Sequence, residues 1–167
     1  RYSEFENVVF SKFMHNENEI IDLIVRSDNT DFYGRIERHD YKISKLEDWE
    51  FARITVGYPG SNEANTKFLP HDIGMINMIS LNKGCYPGQE IHARLDSRSK
   101  PKKRMVVLAT GDALEIGKHS LSDGNSVNVT STALRDGLHL SMGICSVDVS
   151  NDATLVNCNG YSKLTLF

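Results

Sequence analysis

Hydrophobic and polar positions are arranged differently in two stretches of this chain. Residues 8–14 and 19–25 are rich in β-branched and aromatic side chains. The polar cluster His15-Asn16-Glu17-Asn18 separates them, which predicts a hairpin. Asp28-Asn29-Thr30-Asp31 breaks the pattern, and a short helix is expected over 32–38. Ser44-Lys45-Leu46-Glu47 then has the S-x-x-E form of a capping box. Leu46, Trp49, Arg53 and Val56 follow on one helical face, and Phe51 and Ile54 widen it. Gly57 suits the left-handed position that ends a helix, and Pro59 forbids continuation. The apolar run 75–81 reads as a short strand. Residues 82–87 read as a loop, and a second helix is expected from Gly88 to about Asp96, with Pro87 just ahead of it.

Beyond residue 101 the pattern becomes one of short β-rich runs: 103–110, 126–131, 138–149, 153–157 and 161–166. Glycines and Asn/Asp/Ser clusters separate them at short intervals, as in a small barrel or sandwich. The fold class expected is α+β, with an α+β domain over 1–101 and a small antiparallel β-barrel over 102–167. The basic stretch 97–104 marks the boundary.

Composition narrows the function classes. The chain has 167 residues, 40% apolar and 25% charged, which fits one medium domain or two small ones and excludes disorder over most of its length. A net charge of −3 excludes a nucleic-acid coat protein, so nucleic-acid contact is expected to be weak or indirect at most. No apolar run approaches a bilayer span, and no direct membrane contact is expected. The chain begins at Arg1, which reads as a processed or truncated piece. Its three cysteines, Cys85, Cys145 and Cys158, are odd in number and form no C-x-x-C. A disulfide framework or a bound structural metal is not expected, and a reducing compartment is.

The segment Lys83-Gly84-Cys85-Tyr86-Pro87-Gly88-Gln89-Glu90 stands out. Two glycines and a proline in eight residues fix an unusual backbone path, and Gly84 and Gly88 allow close approach of a ligand. Cys85 falls near the start of the expected second helix, where free amides and the positive dipole end favour a thiolate. Lys83 and Arg94 add positive charge. The alternative is a small thiol packed beside a tight turn. Gln89 and Glu90 occupy the first helical turn, where Glu90 complements the dipole. His92 is near enough in sequence to pair with Cys85, or it is a surface histidine. Cys145 and Cys158 lie in expected strands and read as small core residues.

The eight residues resemble the K-G-C-Y-x-G-Q-E signature of the YgfZ/Iba57 family, folate-binding relatives of the glycine cleavage T-protein. Trp49, Arg53, Ile54, Gly57 and Pro59 resemble a W-x-x-x-R-I-x-x-G-x-P element upstream of it. Leu69-Pro70-His71-Asp72 is similar to a short P-x-E/D segment, and Ala93-Arg94 with Lys102-Lys103-Arg104 to an A-R…K-R element leading into the C-terminal barrel. The resemblance implies a T-protein-like α+β region followed by a six-stranded barrel. It implies a factor that assembles or repairs iron–sulfur clusters, chiefly [4Fe–4S], and thereby supports tRNA thiolation. Cys85 is then the functional thiolate, and Lys83, Gly84, Tyr86, Gly88, Gln89, Glu90 and Arg94 form the ligand-binding motif. His92, Trp49 and Arg53 are supporting positions.

Tetrahydrofolate is the implied ligand, and the partners are iron–sulfur assembly proteins or cluster-containing target enzymes. The location is the bacterial cytoplasm, or the mitochondrial matrix in a eukaryote. Family members are about twice this length, the additional part being N-terminal. The acidic residue that acts in the T-protein has no counterpart here, so the expected role is an accessory factor more than an enzyme. A tetrahydrofolate-dependent aminomethyltransferase and a non-catalytic folate-sensing scaffold are the alternatives. Arg94, Arg98, Lys100, Lys102, Lys103 and Arg104 put six positive charges in eleven residues. They read as a solvated linker, or as a holder of RNA phosphates or of a folate's glutamate tail.

Overall fold

The structure is a computed structural model and describes residues 2–5, 8–25, 32, 34–35, 44–98, 100–156 and 162–166. It forms two compact units, 1–49 and 50–167.

The first unit carries a three-stranded antiparallel sheet in the order β1 (Tyr2–Phe5), β2 (Val8–His15), β3 (Asn18–Val25). The hairpin expected between the two β-rich runs is present, with His15 opposite Asn18. Asn16 and Glu17 turn it with φ of 45° and 66°. Two left-handed residues in succession match the twist of the flanking strands. The helix expected over 32–38 lies mostly outside the described residues.

Helix α1 (Leu46–Thr55) begins one residue later than its sequence signature suggests. The Lys45 N–H donates to Asp48 Oδ2 at 3.2 Å, so Asp48 rather than Glu47 reaches back to the first turn. Its end follows expectation. Gly57 has φ 68°, its N–H donates to the Ile54 carbonyl, and the Tyr58 N–H donates to the Arg53 carbonyl at 2.7 Å. This is the paired closure of a Schellman cap.

The run 75–81 is not a strand. Ile76–Met78 makes a single 3-10 turn, with Ile76 and Met78 exposed. No neighbouring edge within the described residues offers it a ladder, and Met75 instead packs beside the core. Helix α2 (Gln89–Arg98) follows the motif loop.

The second sheet has the order β5-β6-β7-β4-β8, antiparallel throughout, from β4 (Lys103–Thr110), β5 (Gly117–Ser120), β6 (Ser126–Arg135), β7 (Leu138–Ser146) and β8 (Ser162–Leu166). The expected six-stranded closed barrel is corrected here: among the described residues the ladder is open. The expected strand 153–157 reduces to one bridge, Leu121 to Leu155, flanked by two backbone hydrogen bonds. β5 is only four residues long, and among the described residues β8 pairs with β4 alone.

Alternation sorts the apolar side chains onto two faces. Val106, Leu108, Val127, Val129, Cys145 and Leu164 build one core with Leu121 and Leu155. Met105, Val107, Leu140, Met142 and Ile144 point the other way and pack with Ile54 and Ile73, beside Phe51 and Phe68. β4 is thus covered on both faces, and α1 and the 68–75 segment are anchored on one of them.

Candidate functional site

The motif loop is shaped by three local devices. Gly88 has φ +85°, a conformation costly for any residue with a Cβ. The Gly88 carbonyl accepts from the Ile91 and His92 N–H groups at 3.1 and 3.3 Å and starts α2. The Gln89 side chain then clamps the loop from inside: Nε2 donates to the Leu81 carbonyl at 3.2 Å, and Oε1 accepts from the Tyr86 N–H at 3.4 Å. Gln89 is therefore a loop-fastening residue. Gly84 has open space where a Cβ would stand, so its small size leaves the loop surface bare rather than relieving a clash.

On this loop Cys85 is exposed, and its sulfur has no hydrogen-bond partner among the described residues. It lies four residues ahead of the first helical residue, not in the first turn of α2. Cys145 is the opposite case: it is buried in the core, and burial pushes its thiol above the usual range, with nearby Arg104 pulling it back in part. Cys158 lies outside the described residues.

Beside Cys85 runs a row of four side chains. Lys83 Nζ stands 4.6 Å from the centre of the Tyr86 ring. Tyr86 and His92 stack with centroids 6.4 Å apart, and His92 stacks on His71 at 5.4 Å with 17° between planes. No hydrogen bond joins His92 to Cys85; its ring lies between Tyr86 and His71. The Tyr86 hydroxyl, His92 Nδ1 and His71 Nδ1 are buried atoms with no hydrogen-bond partner among the described residues. Orphaned polar atoms in a group are costly, and at a functional site they mark where a ligand's donors and acceptors go.

His71 is held there by its turn. The Leu69 N–H donates to Asp72 Oδ2 at 3.0 Å, the Met75 N–H to the Pro70 carbonyl at 2.8 Å, and Ile73 is sunk in the core. Its place in the row could not be read from the chain, because His71 and His92 are separated by the whole motif loop.

The other expected residues are placed elsewhere or otherwise engaged. Glu90 and Arg94 are exposed and pair with each other at 3.1 Å, one helical turn apart. Trp49 is 44% exposed on α1. Arg53, 3% exposed, serves the core. Its Nε and Nη2 donate to both carboxylate oxygens of Glu50, and Nη1 donates to Glu63 Oε2 at 3.2 Å and to the Tyr58 carbonyl. Burial alone would lower Arg53; its hydrogen bonds to Glu50 and the charge of Glu63 outweigh that and hold it above its ordinary value.

Glu63, fully buried, accepts from the Thr130 and Ser131 hydroxyls and from the Gly60 N–H. A β-bulge between Val129 and Ser131 makes this possible, because consecutive residues would otherwise face opposite ways. Gly60 is required where it is: a Cβ there would lie 2.7 Å from Arg53 Cζ.

The basic stretch is divided. Arg94 is paired, and Arg104 donates through Nη2 to the Val149 carbonyl at 2.6 Å. Lys102 and Lys103 remain on a surface groove. Among the described residues no three His, Cys, Asp or Glu side chains gather as for a metal ion. No described helix is long and apolar enough to cross a membrane.

No family model matches the chain. It is 30% identical over 136 residues, 70% of its length, to the tRNA-modifying protein YgfZ of Hamiltonella defensa, and it covers 40% of that protein. To the YgfZ of Yersinia pestis it is 30% identical over 135 residues, 73% of this chain and 39% of the relative. To a chloroplastic candidate transferase of Arabidopsis thaliana it is 41% identical over 80 residues, 47% of this chain and 18% of that one. The chain spans two fifths or less of the length of these relatives. Those matches over most of its length, with the cysteine motif on its glycine loop, make the chain a member of the YgfZ family.

Proposed function

We propose that this chain carries the thiol-bearing part of an accessory factor that assembles or repairs iron–sulfur clusters, chiefly [4Fe–4S], in enzymes that thiolate tRNA. The observation that carries the reading is the exposed Cys85 sulfur on a clamped loop, beside the Lys83–Tyr86–His92–His71 row. A sulfur without a competing partner is free to meet a cluster or a partner protein. One thiolate cannot hold a cluster alone, so the cluster is cargo shared with a partner. The names of the bacterial relatives, which are tRNA-modifying proteins, favour the same process. Such a factor works where its target enzymes are, in the bacterial cytoplasm or the mitochondrial matrix.

Tetrahydrofolate fits the chemistry of the row. A pterin is flat with donors and acceptors on its rim, and the orphaned Tyr86 hydroxyl, His92 Nδ1 and His71 Nδ1 are the groups that would hold it. Lys83 would take a glutamate carboxylate. When bound, the folate would supply a one-carbon carrier at the loop. Gln89 keeps the loop in register.

The test is Cys85→Ser in the full-length protein. Thiolated tRNA is expected to fall at least tenfold in cells that depend on it, with the circular dichroism spectrum unchanged. Wild-type thiolation by the variant overturns the assignment. Tetrahydrofolate affinity that is equal in wild type and His92→Ala overturns the folate site separately.

A further inference from the structure

We infer that the face of the second sheet turned toward α1 carries a nucleotide-phosphate site, built from none of the cysteine-motif residues. A groove of about 460 Å³ lies there, within the roughly 300–1,000 Å³ of small-molecule sites. The strand register explains its construction. Lys118 on β5 stands opposite Asn128 on β6, Asn128 opposite Ile144 on β7, and Ser146 opposite Lys103 on β4. Ahead of the bulge, Ser126 and Asn128 of β6 face away from the core that holds Val127 and Val129. The floor is therefore Ser126, Asn128 and Ile144, with Lys118 at one side and Lys102 and Lys103 at the other. The Phe68 ring lines it, with Lys103 Nζ 5.7 Å from the ring centre.

The lining holds three lysines and no carboxylate. None of the three has an ion-pair partner among the described residues. Ser146 on the lining donates its hydroxyl to the exposed Asp148 carboxylate at 3.2 Å. Three ammonium groups around a polar floor are poorly neutralised by a single carboxylate and well matched to a phosphate dianion, for which lysine serves as a point charge. Asn128 and Ser126 supply neutral donors and acceptors for sugar hydroxyls. The Phe68 ring supplies a face on which a base stacks. Together these describe a phosphorylated ligand with a planar ring: a nucleotide, free or within single-stranded RNA.

Binding of AMP, ribose 5-phosphate and an eight-nucleotide single-stranded RNA to the whole chain is the test, at two salt concentrations. AMP is expected to bind at least fivefold more tightly than ribose 5-phosphate. Lys118→Met and Lys103→Met, which keep the side-chain stems, are expected to weaken AMP at least fivefold each. Each should also flatten the salt dependence by about one unit of slope. Lys67→Met, on an exposed lysine that does not line the groove, is the control expected to bind as wild type. RNA binding tenfold tighter than AMP identifies the polymer as the source; equal affinity identifies the free nucleotide. Equal binding of AMP and ribose 5-phosphate, or undiminished binding by both groove variants, overturns the proposal.

Discussion

Glu63 and Arg53 lie ten positions apart, and neither separation nor local pattern announces that they meet. Arg53 was legible as a helix residue, yet as one facing an apolar stripe. What the chain hides is the loop that returns Glu63 beneath the helix and the bulge that turns both Thr130 and Ser131 toward it. Removing one member of a buried pair leaves a charge without its partner, at a cost of about 3–5 kcal/mol. Arg53 keeps Glu50, so Glu63→Gln is expected near the lower end, about 3 kcal/mol, measured by urea unfolding at neutral pH. The doubly apolar Arg53→Met/Glu63→Met chain is expected to recover part of that loss.

The cysteines make a second contrast at this scale. Cys145 is buried, and burial raises its thiol, so a water-soluble maleimide at pH 8 is expected to label Cys85 within minutes and Cys145 only on unfolding. Equal rates, mapped by peptide mass spectrometry, would contradict the exposed-loop reading. The sign for stability follows. A raised thiol favours the fold fully below its unfolded value and loses that contribution as the pH climbs through the folded one, so Cys145 costs the fold stability only above the ordinary thiol range.

Among elements, those with strong periodicity or caps were readable and those defined by partners were not. β4 coincides with the expected run 103–110, because its residues are apolar on both faces and bounded by charge and turn signals. The β2–β3 hairpin and the Gly57 end of α1 follow from turn and cap chemistry written in the sequence. β5, Gly117–Ser120, was missed: Gly-Lys-His-Ser has no β character, and it is a strand only because β6 pairs with it. The motif was legible as a loop followed by a helix, but its ring row was not, since His71 arrives from another turn.

The β5–β6 connection holds a prediction of its own. Asp123 accepts from the Ser150 N–H at 2.9 Å and from the Asn125 N–H and side chain at 3.0 Å. The Ser150 amide first, then Asn125, hold its carboxyl below the usual range. A lowered carboxyl stabilises the fold above its ordinary value and loses that contribution as the pH falls through the folded one. Asp123→Asn is therefore expected to lower the urea midpoint at pH 7 and to match wild type at pH 2.5. A difference that persists at pH 2.5 would assign the effect to geometry rather than charge.

At the level of the whole molecule, stability is unevenly distributed. β4 and β7 are inner strands of the second sheet, and both bury residues on two faces. β7 approaches β6 closely: a Cβ added to Gly143 would stand 2.7 Å from Val127 Cγ2 and 3.0 Å from the Asn128 carbonyl oxygen. The first unit is built differently. Its three-stranded sheet leaves Met14, Ile21, Leu23 and Ile24 exposed, so it withdraws little apolar surface from water by itself. Native-state hydrogen exchange is expected to find the slowest amides in β4 and β7 and markedly faster ones in β2 and β3. Gly143→Ala forces β6 and β7 apart, at about 1–3 kcal/mol for overpacking. That loss is expected to appear in full at the slowest amides of 50–167, because they exchange only when the whole unit opens. Protection of β2 and β3 is expected to stay as in wild type, since a separate compact unit opens by its own equilibrium. An equal loss at both sets of amides would mean that one cooperative unit spans the chain, and the division at residue 49 would then be one of shape without a thermodynamic counterpart.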